Sequence, residues 1–284
     1  MYPLLITAAQ VQALQAQGTP LAILDCTSDL MKPEVADGLF EAEHIAGAMQ
    51  AHLDRHLSTH SKDAVNGGRH PLPPRERVAD WLGSMGIGNG TQVVAYDRNS
   101  GNYCGRLWWM LKWLGHDAVA VLDGGLQSWK AAGGAVASGP SQAGTATSFG
   151  VQAPLRELVF TEQVVADLGR PSQTVIDARA APRYRGEVEP LDPIAGHIPG
   201  ALNRPFTENF TAEGFFKNPE VLKAEWEKVL SGRPADSVVQ HCGSGVSAVP
   251  NLIAMELAGY GPTALYAGSW SEWCRTPGLP CAKG

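Results

Sequence analysis

Short apolar runs alternate along the chain with segments whose apolar residues recur at helical spacing. The runs are rich in Val, Ile and Leu, a composition typical of strands buried on both faces of a parallel sheet. In the segment 75–85, for example, Val78, Trp81 and Leu82 share one helical face. The candidate strands are 21–26, 93–97, 118–122, 174–179, 238–242 and 264–268. The alternation predicts an α/β fold in which mostly parallel sheets are flanked by helices.

The order of these elements is repeated in the two halves of the chain. Four pairs of landmarks recur, 152, 153, 145 and 144 residues apart: Asp25 and Asp177, His44 and His197, Asp97 and Cys242, Trp129 and Trp273. Such steady separations indicate a duplicated domain. We therefore predict a first domain over 1–140 and a second over 155–284. The segment 133–154 between them is rich in Gly, Ala, Ser and Thr, and is predicted to be a linker.

The stretch after the strand at 238–241 has the composition of an anion-binding loop. It begins with Cys242, continues through Gly243 and Gly245, and leads into 249–257, an apolar segment that can form a helix. Such a loop at the carboxyl end of a buried strand turns backbone N–H groups inward, where the helix presents its positive end. This arrangement favours the thiolate, so Cys242 is a candidate nucleophile. A buried structural cysteine beside a turn is the alternative interpretation.

The duplication supplies an internal comparison for this loop. Where the second copy has Cys242, the first copy has Asp97. Because an aspartate cannot act as a sulfur nucleophile, only the second domain is predicted to be catalytic. The first copy is predicted to serve as structure and as one wall of a cleft between the domains, a common location for ligand sites.

Composition excludes several classes of function. The chain has 284 residues, 44% hydrophobic and 18% charged, which is typical of a globular protein with enough apolar material for two domains. Its net charge of -6 argues against nucleic-acid binding through a basic face. It lacks a run of about 18 apolar residues, and its start lacks the pattern of a signal peptide. We therefore expect no nucleic acid, no membrane association and a cytoplasmic location.

The five cysteines indicate neither a disulfide framework nor a zinc site. Their number is odd, and none belongs to a Cys-x-x-Cys pair. We therefore expect no metal and no cofactor. Cys274 and Cys281 are close in sequence and could pair under oxidation, whereas two unrelated thiols is the simpler interpretation.

The repeated landmarks resemble those of the tandem-domain rhodanese family over essentially the whole chain. Each half has a strand-ending Asp, a His-Ile-x-Gly-Ala sequence, a loop after a strand and a Gly-x-x-x-x-Trp ending. The loop 242–247, Cys-Gly-Ser-Gly-Val-Ser, resembles the active loop of the 3-mercaptopyruvate sulfurtransferases, usually Cys-Gly-Ser/Thr-Gly-Val-Thr. The resemblance implies two tandem rhodanese-like domains with Cys242 as nucleophile. It implies that the donor is bound by Gly243, Gly245, Val246 and Ser247.

The absence of cationic side chains from this loop indicates which sulfur donor it would bind better. Rhodaneses that use thiosulfate typically carry Arg-Lys after the cysteine, where this chain has Gly243 and Ser244. Thiosulfate is a dianion with a charged leaving group, so cationic side chains would help both binding and departure. Backbone N–H groups and one hydroxyl suit a monoanionic donor such as 3-mercaptopyruvate better.

The resemblance also implies a catalytic relay. In this family a serine two places after the cysteine acts with a His and an Asp from the first domain to activate the donor or the nucleophile. The matching residues are Ser244, His70 in His-Pro-Leu-Pro, and Asp54. A surface turn for Asp54 and a flexible loop for His70 are the alternatives. His241 precedes Cys242, and strand alternation favours a packing role for it over that of a base.

The family binds the substrate carboxylate with two arginines, of which this chain matches one. Arg183 matches the first, and its guanidinium is suited to bidentate contact with an α-keto acid. The second usually follows Glu-Pro, but here Glu189-Pro190 leads to Leu191. Arg185 is a candidate substitute, and a solvated surface charge is the alternative interpretation.

Together these features predict a sulfurtransferase that works by double displacement. Cys242 takes sulfur from 3-mercaptopyruvate, pyruvate leaves, and the persulfide passes its sulfur to an acceptor. The expected acceptors are cyanide and a thiol, either a small molecule or a thioredoxin-like protein. The alternatives are a thiosulfate:cyanide sulfurtransferase and a persulfide carrier with low turnover.

Overall fold

The computed structural model describes residues 1–284, which form two compact units. Unit 1 comprises residues 1–63, 73–155 and 212–215, and unit 2 comprises residues 64–72, 156–211 and 216–284. Neither unit is contiguous in sequence, because the 64–72 segment of the first half folds with unit 2.

Unit 1 is an α/β domain built on five parallel strands. Its strands are β1 (Leu5–Ile6), β2 (Leu21–Asp25), β3 (His44–Ile45), β4 (Met49–Gln50), β5 (Gln92–Tyr96), β6 (Val119–Leu122) and β7 (Val136–Ala137). Its helices are α1 (Ala8–Ala16), α2 (Val35–Ala42), α3 (Arg75–Ser84), α4 (Cys104–Trp113) and α5 (Gly125–Ala131). The main sheet has the order β1-β6-β5-β2-β4, and β3 pairs with β7 in a separate antiparallel ribbon.

Unit 2 repeats this plan. Its strands are β8 (Leu158–Val159), β9 (Thr174–Asp177), β10 (Leu202–Asn203), β11 (Val238–His241) and β12 (Ala264–Tyr266). Its helices are α6 (Thr161–Ala166), α7 (Ala181–Tyr184), α8 (Pro219–Leu230), α9 (Val249–Leu257) and α10 (Ser269–Trp273), with 3-10 turns at Phe206–Asn209 and Ala235–Ser237. The parallel sheet has the order β10-β9-β11-β12-β8.

The two strand orders are equivalent position by position. Read from the opposite edge, the order in unit 2 is β8-β12-β11-β9-β10, which places β11 where unit 1 has β5. Every residue of both strands is buried. The predicted fold of two parallel-sheet α/β domains is confirmed, and residues 97 and 242 follow equivalent central strands.

The repeated tryptophans anchor equivalent cores. Trp129 packs in the core of unit 1 and Trp273 in that of unit 2. The indole N–H of Trp129 donates to Ala135 O at 2.9 Å, and that of Trp273 donates to Pro280 O at 2.8 Å. Because each ring is buried and its polar atom is paired, truncation of either to alanine would cost roughly 3–5 kcal/mol.

The histidines of the two His-Ile-x-Gly-Ala sequences have matching structural roles. His44 Nδ1 donates to Phe40 O, and His197 Nδ1 donates to Tyr184 O, each at 2.8 Å. The His44 ring stacks on Phe40 and the His197 ring on Tyr184. These paired contacts explain why both copies carry the histidine.

The segment 133–154, which is predicted to be a linker, is held against unit 1 by backbone hydrogen bonds. It contributes β7 and then runs along unit 1, where Thr147 N donates to Gly83 O at 2.9 Å and Gln152 N donates to Leu114 O at 2.9 Å. A methyl group on Gly83 would lie 2.6 Å from Thr147 O. These contacts are made by backbone atoms, so amino-acid composition does not reveal them. A segment that packs on a domain through its backbone can therefore have the same composition as a linker. In the whole structure, every helix is too short or too polar to span a membrane.

Candidate active site

Cys242 is the first residue after β11, the middle strand of the unit 2 sheet. Its residue is 2% exposed, and the loop 242–248, here called the reactive loop, connects it to α9. This is the carboxyl edge of a parallel sheet, where ligand sites of α/β proteins lie. The predicted order of strand, tight loop and helix is therefore present.

The start of the reactive loop is fixed by the first turn of α10. Cys242 N donates to Ser269 Oγ at 3.1 Å, and Cys242 O accepts from Trp270 N at 3.0 Å. Gly243 O accepts from Ser271 N at 2.9 Å. Ser269 has a φ of +56°, a strained value for a serine, which places its hydroxyl beneath the loop. These bonds hold the cysteine backbone in one position.

Four backbone amides in the rest of the loop have no acceptor within the chain. The backbone N–H groups of Ser244, Val246, Ser247 and Ala248 donate to no other group of the chain. Val246 is buried and Ser247 is half-buried. Buried amides without a partner are costly, and a set of consecutive ones is a common way of binding an anion.

The equivalent loop of unit 1 shows what such amides bind. The Asp97 carboxylate is buried and accepts from four amides: Asn99 and Gly101 on Oδ1, and Tyr103 and Cys104 on Oδ2, all at 2.8–3.0 Å. In unit 1 the anion is therefore a side chain of the protein itself. In unit 2 the aspartate is replaced by Cys242, and the amides of Ser244, Val246, Ser247 and Ala248 have no such acceptor.

The two predicted glycines are required for different reasons. Gly245 has a φ of +73°, and a methyl group there would lie 2.3 Å from Ala267 O. At Gly243 a methyl group would lie 2.8 Å from Arg69 Nη2 and 3.5 Å from Arg183 Nη1. Gly245 thus permits the turn, whereas Gly243 leaves room for two guanidinium groups beside the nucleophile.

Ser244 and His70 are in direct contact. Ser244 Oγ is hydrogen-bonded to His70 Nδ1 at 2.7 Å, although the two residues are 174 positions apart. The 64–72 segment that carries His70 is tied to α10: Gly67 N donates to Glu272 Oε2 at 3.1 Å, and Arg69 N donates to Ser271 Oγ at 3.0 Å. Of the predicted relay, the structure thus brings together the serine and the histidine.

Asp54 belongs to unit 1, whereas Cys242 belongs to unit 2. It is exposed, and its amide N donates to His52 Nδ1 at 3.1 Å. Its part in the relay stays a prediction.

The contact between Ser244 and His70 predicts a large and coupled effect on turnover. We expect His70→Asn and Ser244→Ala each to lower kcat about 100-fold, because positioned proton donors and acceptors contribute at least that much. The double variant should be little worse than either single one, since both remove the same hydrogen bond. Steady-state kinetics of the four proteins will check this; independent, multiplying losses would contradict it.

Arg183 lies on α7 and is held by buried carboxylates. Its Nε and Nη2 contact Glu189 at 3.3 and 2.6 Å, and Nη2 is 3.5 Å from Asp192 Oδ2. Its Nη1 and Nη2 would lie 3.5 and 3.6 Å from a methyl group on Gly243. Arg185, the other candidate, instead pairs with Glu187 at 2.6 Å and is exposed, as expected for a solvated charge.

Sequence reasoning missed Arg69 and the role of Asp192. Arg69 Nη1 pairs with the Asp192 carboxylate, which also contacts Arg183 and Arg275. Two signals were present: Arg69 immediately precedes the predicted relay histidine, and Asp192 stands in the short segment that lacks the second arginine.

His241 contacts the backbone of the reactive loop at Cys242. It is fully buried, its Nδ1 donates to Cys242 O at 3.1 Å, and its Nε2 is 3.7 Å from Asp177 Oδ2. Burial lowers the pKa of His241 and outweighs the opposite effect of Asp177, so the ring is neutral near pH 7. Both ring nitrogens face groups other than the thiol, which fits a packing role.

The other cysteines lie in surroundings that disfavour a thiolate. Burial, reinforced by the Asp97 charge, raises the pKa of the Cys104 thiol well above its ordinary value, and burial likewise raises the pKa of Cys26. Burial also raises the pKa of Cys274 and of Cys281, whose residue is nevertheless exposed. All five thiols are free.

A duplicated parallel-sheet domain with a cysteine-led loop in its second copy defines a two-domain protein of the rhodanese type. The rhodanese-like domain model matches residues 7–132 and 160–276. The chain belongs to the rhodanese family.

Relatives of known name cover almost the full length. A "Probable 3-mercaptopyruvate sulfurtransferase" of Pseudomonas aeruginosa is 44% identical over 99% of this chain and 98% of its own. The "3-mercaptopyruvate sulfurtransferase" of Homo sapiens is 37% identical over 92% and 88%. The "Thiosulfate sulfurtransferase" of Mus musculus is 33% identical over 91% and 86%. All three relatives are named as sulfurtransferases, so the prediction that this chain is a sulfurtransferase is confirmed.

A solved structure supports the same conclusion. The 3-mercaptopyruvate sulfurtransferase from Leishmania major matches with a TM-score of 0.80 and 31% identity, covering 95% of this chain and 74% of that one. The predicted arrangement of two tandem rhodanese-like domains is therefore confirmed.

Proposed function

We propose that this sulfurtransferase moves a sulfane sulfur from 3-mercaptopyruvate to a thiol or cyanide through a persulfide on Cys242. The observation that carries the proposal is the reactive loop, in which the backbone N–H groups of Ser244, Val246, Ser247 and Ala248 donate to no other group of the chain. The unit 1 loop, whose amides bind the Asp97 carboxylate, supports the interpretation that this backbone holds an anion.

In the first half-reaction the Cys242 thiolate attacks the sulfur of the donor. A sulfur–sulfur bond forms, and the carbon–sulfur bond of 3-mercaptopyruvate breaks with its electron pair going to the departing enolate of pyruvate. The proton of the donor thiol balances the step by ending on the enolate, which leaves as pyruvate. The persulfide anion stays on Cys242, where the loop amides stabilise it.

Ser244 and His70 are the groups proposed to move that proton. The hydroxyl lies two residues after the nucleophile and is hydrogen-bonded to His70 Nδ1. This pair can pass a proton between the donor thiol and the enolate, with Asp54 as the proposed third member. The chemistry needs only the two reactants and these side chains, so we propose no cofactor.

In the second half-reaction an acceptor nucleophile attacks the outer sulfur. A thiol, small or on a thioredoxin-like protein, or cyanide takes that sulfur, and the Cys242 thiolate leaves with the bonding electrons. All five cysteines are free, which fits a reducing compartment, and we propose that the enzyme works in the cytoplasm. The first domain, with Asp97 in place of a nucleophile, is proposed to be non-catalytic.

Thiosulfate is the second candidate donor, and one observation favours it. The guanidinium groups of Arg69 and Arg183 are adjacent to Gly243 and supply positive charge that the loop side chains lack. The loop itself, with Gly243 and Ser244 after the nucleophile, still favours the monoanion. Relatives of both names match the chain.

A comparison of donors tests the proposal. We expect kcat/KM with cyanide as acceptor to be at least about tenfold higher for 3-mercaptopyruvate than for thiosulfate, a difference of about 1.4 kcal/mol in transition-state stabilisation. Mass spectrometry after donor treatment should find one added sulfur atom on Cys242. A higher kcat/KM for thiosulfate would show that thiosulfate is the preferred donor. Formation of the persulfide without transfer of its sulfur to an acceptor would indicate a persulfide carrier.

A further inference from the structure

Two arginine side chains border the start of the reactive loop. The atoms nearest to a methyl group placed on Gly243 are Arg69 Nη2 at 2.8 Å, Arg183 Nη1 at 3.5 Å and Arg183 Nη2 at 3.6 Å. The side chains are 19% and 18% exposed, so both are partly open to a ligand. They come from opposite parts of the sequence, the 64–72 segment and α7.

Each arginine is oriented by a buried carboxylate on its far side. Arg69 uses Nη1 to pair with Asp192, and Arg183 uses Nε and Nη2 to pair with Glu189. The side chains of Asp192 and Glu189 are 0% and 3% exposed. The acids hold Arg69 Nη1 and Arg183 Nη2, so Arg69 Nη2 and Arg183 Nη1 are the amino groups beside Gly243 that take no part in these ion pairs.

Arg69 and Arg183 belong to a larger cluster of charged side chains in unit 2. Four guanidinium groups (Arg69, Arg179, Arg183, Arg275) are in contact with three carboxylates (Asp177, Glu189, Asp192). The acids are buried, and Arg69 and Arg183 are the members that border Gly243. Arg69 and Arg183 are therefore the positively charged groups next to the start of the reactive loop, where a carboxylate can pair with both.

We propose that Arg69 is the second carboxylate-binding arginine of this enzyme and that Arg69 and Arg183 together bind the carboxylate of an α-keto acid donor. Asp192 stands in the segment where the second arginine was expected, and it is the residue that fixes Arg69 in place. The proposal rests on the proposed function and assigns a specificity-determining residue for the same site.

Arg69→Gln and Arg183→Gln test the proposal with two donors that differ only in the carboxylate. The probes are 3-mercaptopyruvate and mercaptoacetone, which has a methyl group in its place. We expect each substitution to raise KM for 3-mercaptopyruvate about 10- to 100-fold, the effect of losing a hydrogen bond to a charged group. KM for mercaptoacetone should change less than about twofold, and kcat should be largely retained.

Arg275→Gln is the matched control. It removes a guanidinium from the same Asp192, which Arg275 contacts at 2.9 Å, without removing one from beside Gly243. We expect its KM for 3-mercaptopyruvate to stay within about twofold of the parent. An equal rise in Arg275→Gln would show that the cluster is structural and would overturn the proposal.

The remaining outcomes also decide the question. If Arg69→Gln lowers kcat equally with both donors, Arg69 acts only by holding His70, and the proposal is wrong. If it impairs thiosulfate but not 3-mercaptopyruvate, the pair binds the sulfonate end of thiosulfate, and the α-keto acid assignment is wrong. Failure of the parent enzyme to turn over 3-mercaptopyruvate would instead reject the proposed function.

Discussion

Cys242→Ser is expected to abolish sulfur transfer while leaving the fold intact. Serine is close to cysteine in size and keeps the backbone bonds of the loop to Ser269, Trp270 and Ser271. Its hydroxyl is a far weaker nucleophile towards sulfur than a thiolate, and it cannot carry a persulfide. We expect kcat/KM to fall at least about 10⁴-fold with either donor, measured as thiocyanate or pyruvate formation.

The control for this variant is Cys281→Ser. Cys281 has the one exposed thiol and is the residue most open to accidental loading by a sulfur donor. Cys281→Ser should keep the sulfurtransferase activity and should still gain one sulfur atom after donor treatment. Cys242→Ser should lose both. A persulfide on any other cysteine that disappears with turnover, or residual activity above about one per cent of the parent, would contradict the assignment of Cys242.

The surroundings of the other thiols support the proposal that Cys242 is the nucleophile. Cys104 also lies at the end of a loop after a central strand, but there the amides are occupied by Asp97. The Asp97 charge and burial together raise the pKa of the Cys104 thiol. Cys242 has the same kind of backbone without the resident carboxylate. This difference between the two loops supports the proposal that Cys242, and not Cys104, is the reactive cysteine.

Much of the fold and the centre of the site could be predicted from local patterns. The β-branched run before Cys242 is long enough to define a buried strand, and Thr7 predicts the start of α1, where its Oγ1 accepts from Gln10 N at 3.3 Å. The duplication then aligned Asp97 with Cys242, and a family resemblance paired Ser244 with His70. These are features that spacing and residue type can carry.

The arginine cluster could not be predicted in this way. Arg69 and Asp192 are separated by more than a hundred residues, and their pairing depends on the 64–72 segment folding with unit 2. That placement rests on backbone contacts, such as Gly68, whose φ of +91° and lack of a side chain allow close approach to Ser271 and Gly268. Composition does not reveal which neighbour a loop will contact.

Asp97→Ala is expected to destabilise unit 1 strongly. It removes the buried acceptor of four amide hydrogen bonds, from Asn99, Gly101, Tyr103 and Cys104, and leaves those N–H groups unpaired. Hydrogen bonds to a charged group contribute about 1.5–3 kcal/mol each, and the four are not additive, so we expect a loss of about 4 kcal/mol. Urea unfolding measures the loss. Hydrogen exchange of the peptide 97–104 locates it.

Asp25→Asn is the matched control, because Asp25 is an equally buried carboxylate that accepts one backbone amide, from Thr27 at 2.8 Å. Burial raises the pKa of Asp25, so its charge weakens the folded state once the pH exceeds that pKa, and its neutral amide should cost little at pH 7. Asp97→Asn should be much more harmful, since its NH₂ would face two amide donors. Equal stabilities for Asp97→Asn and Asp25→Asn would mean that the unit 1 loop does not need an anion. The reactive loop, built after the equivalent strand, would then lose its best internal evidence for holding a negative sulfur.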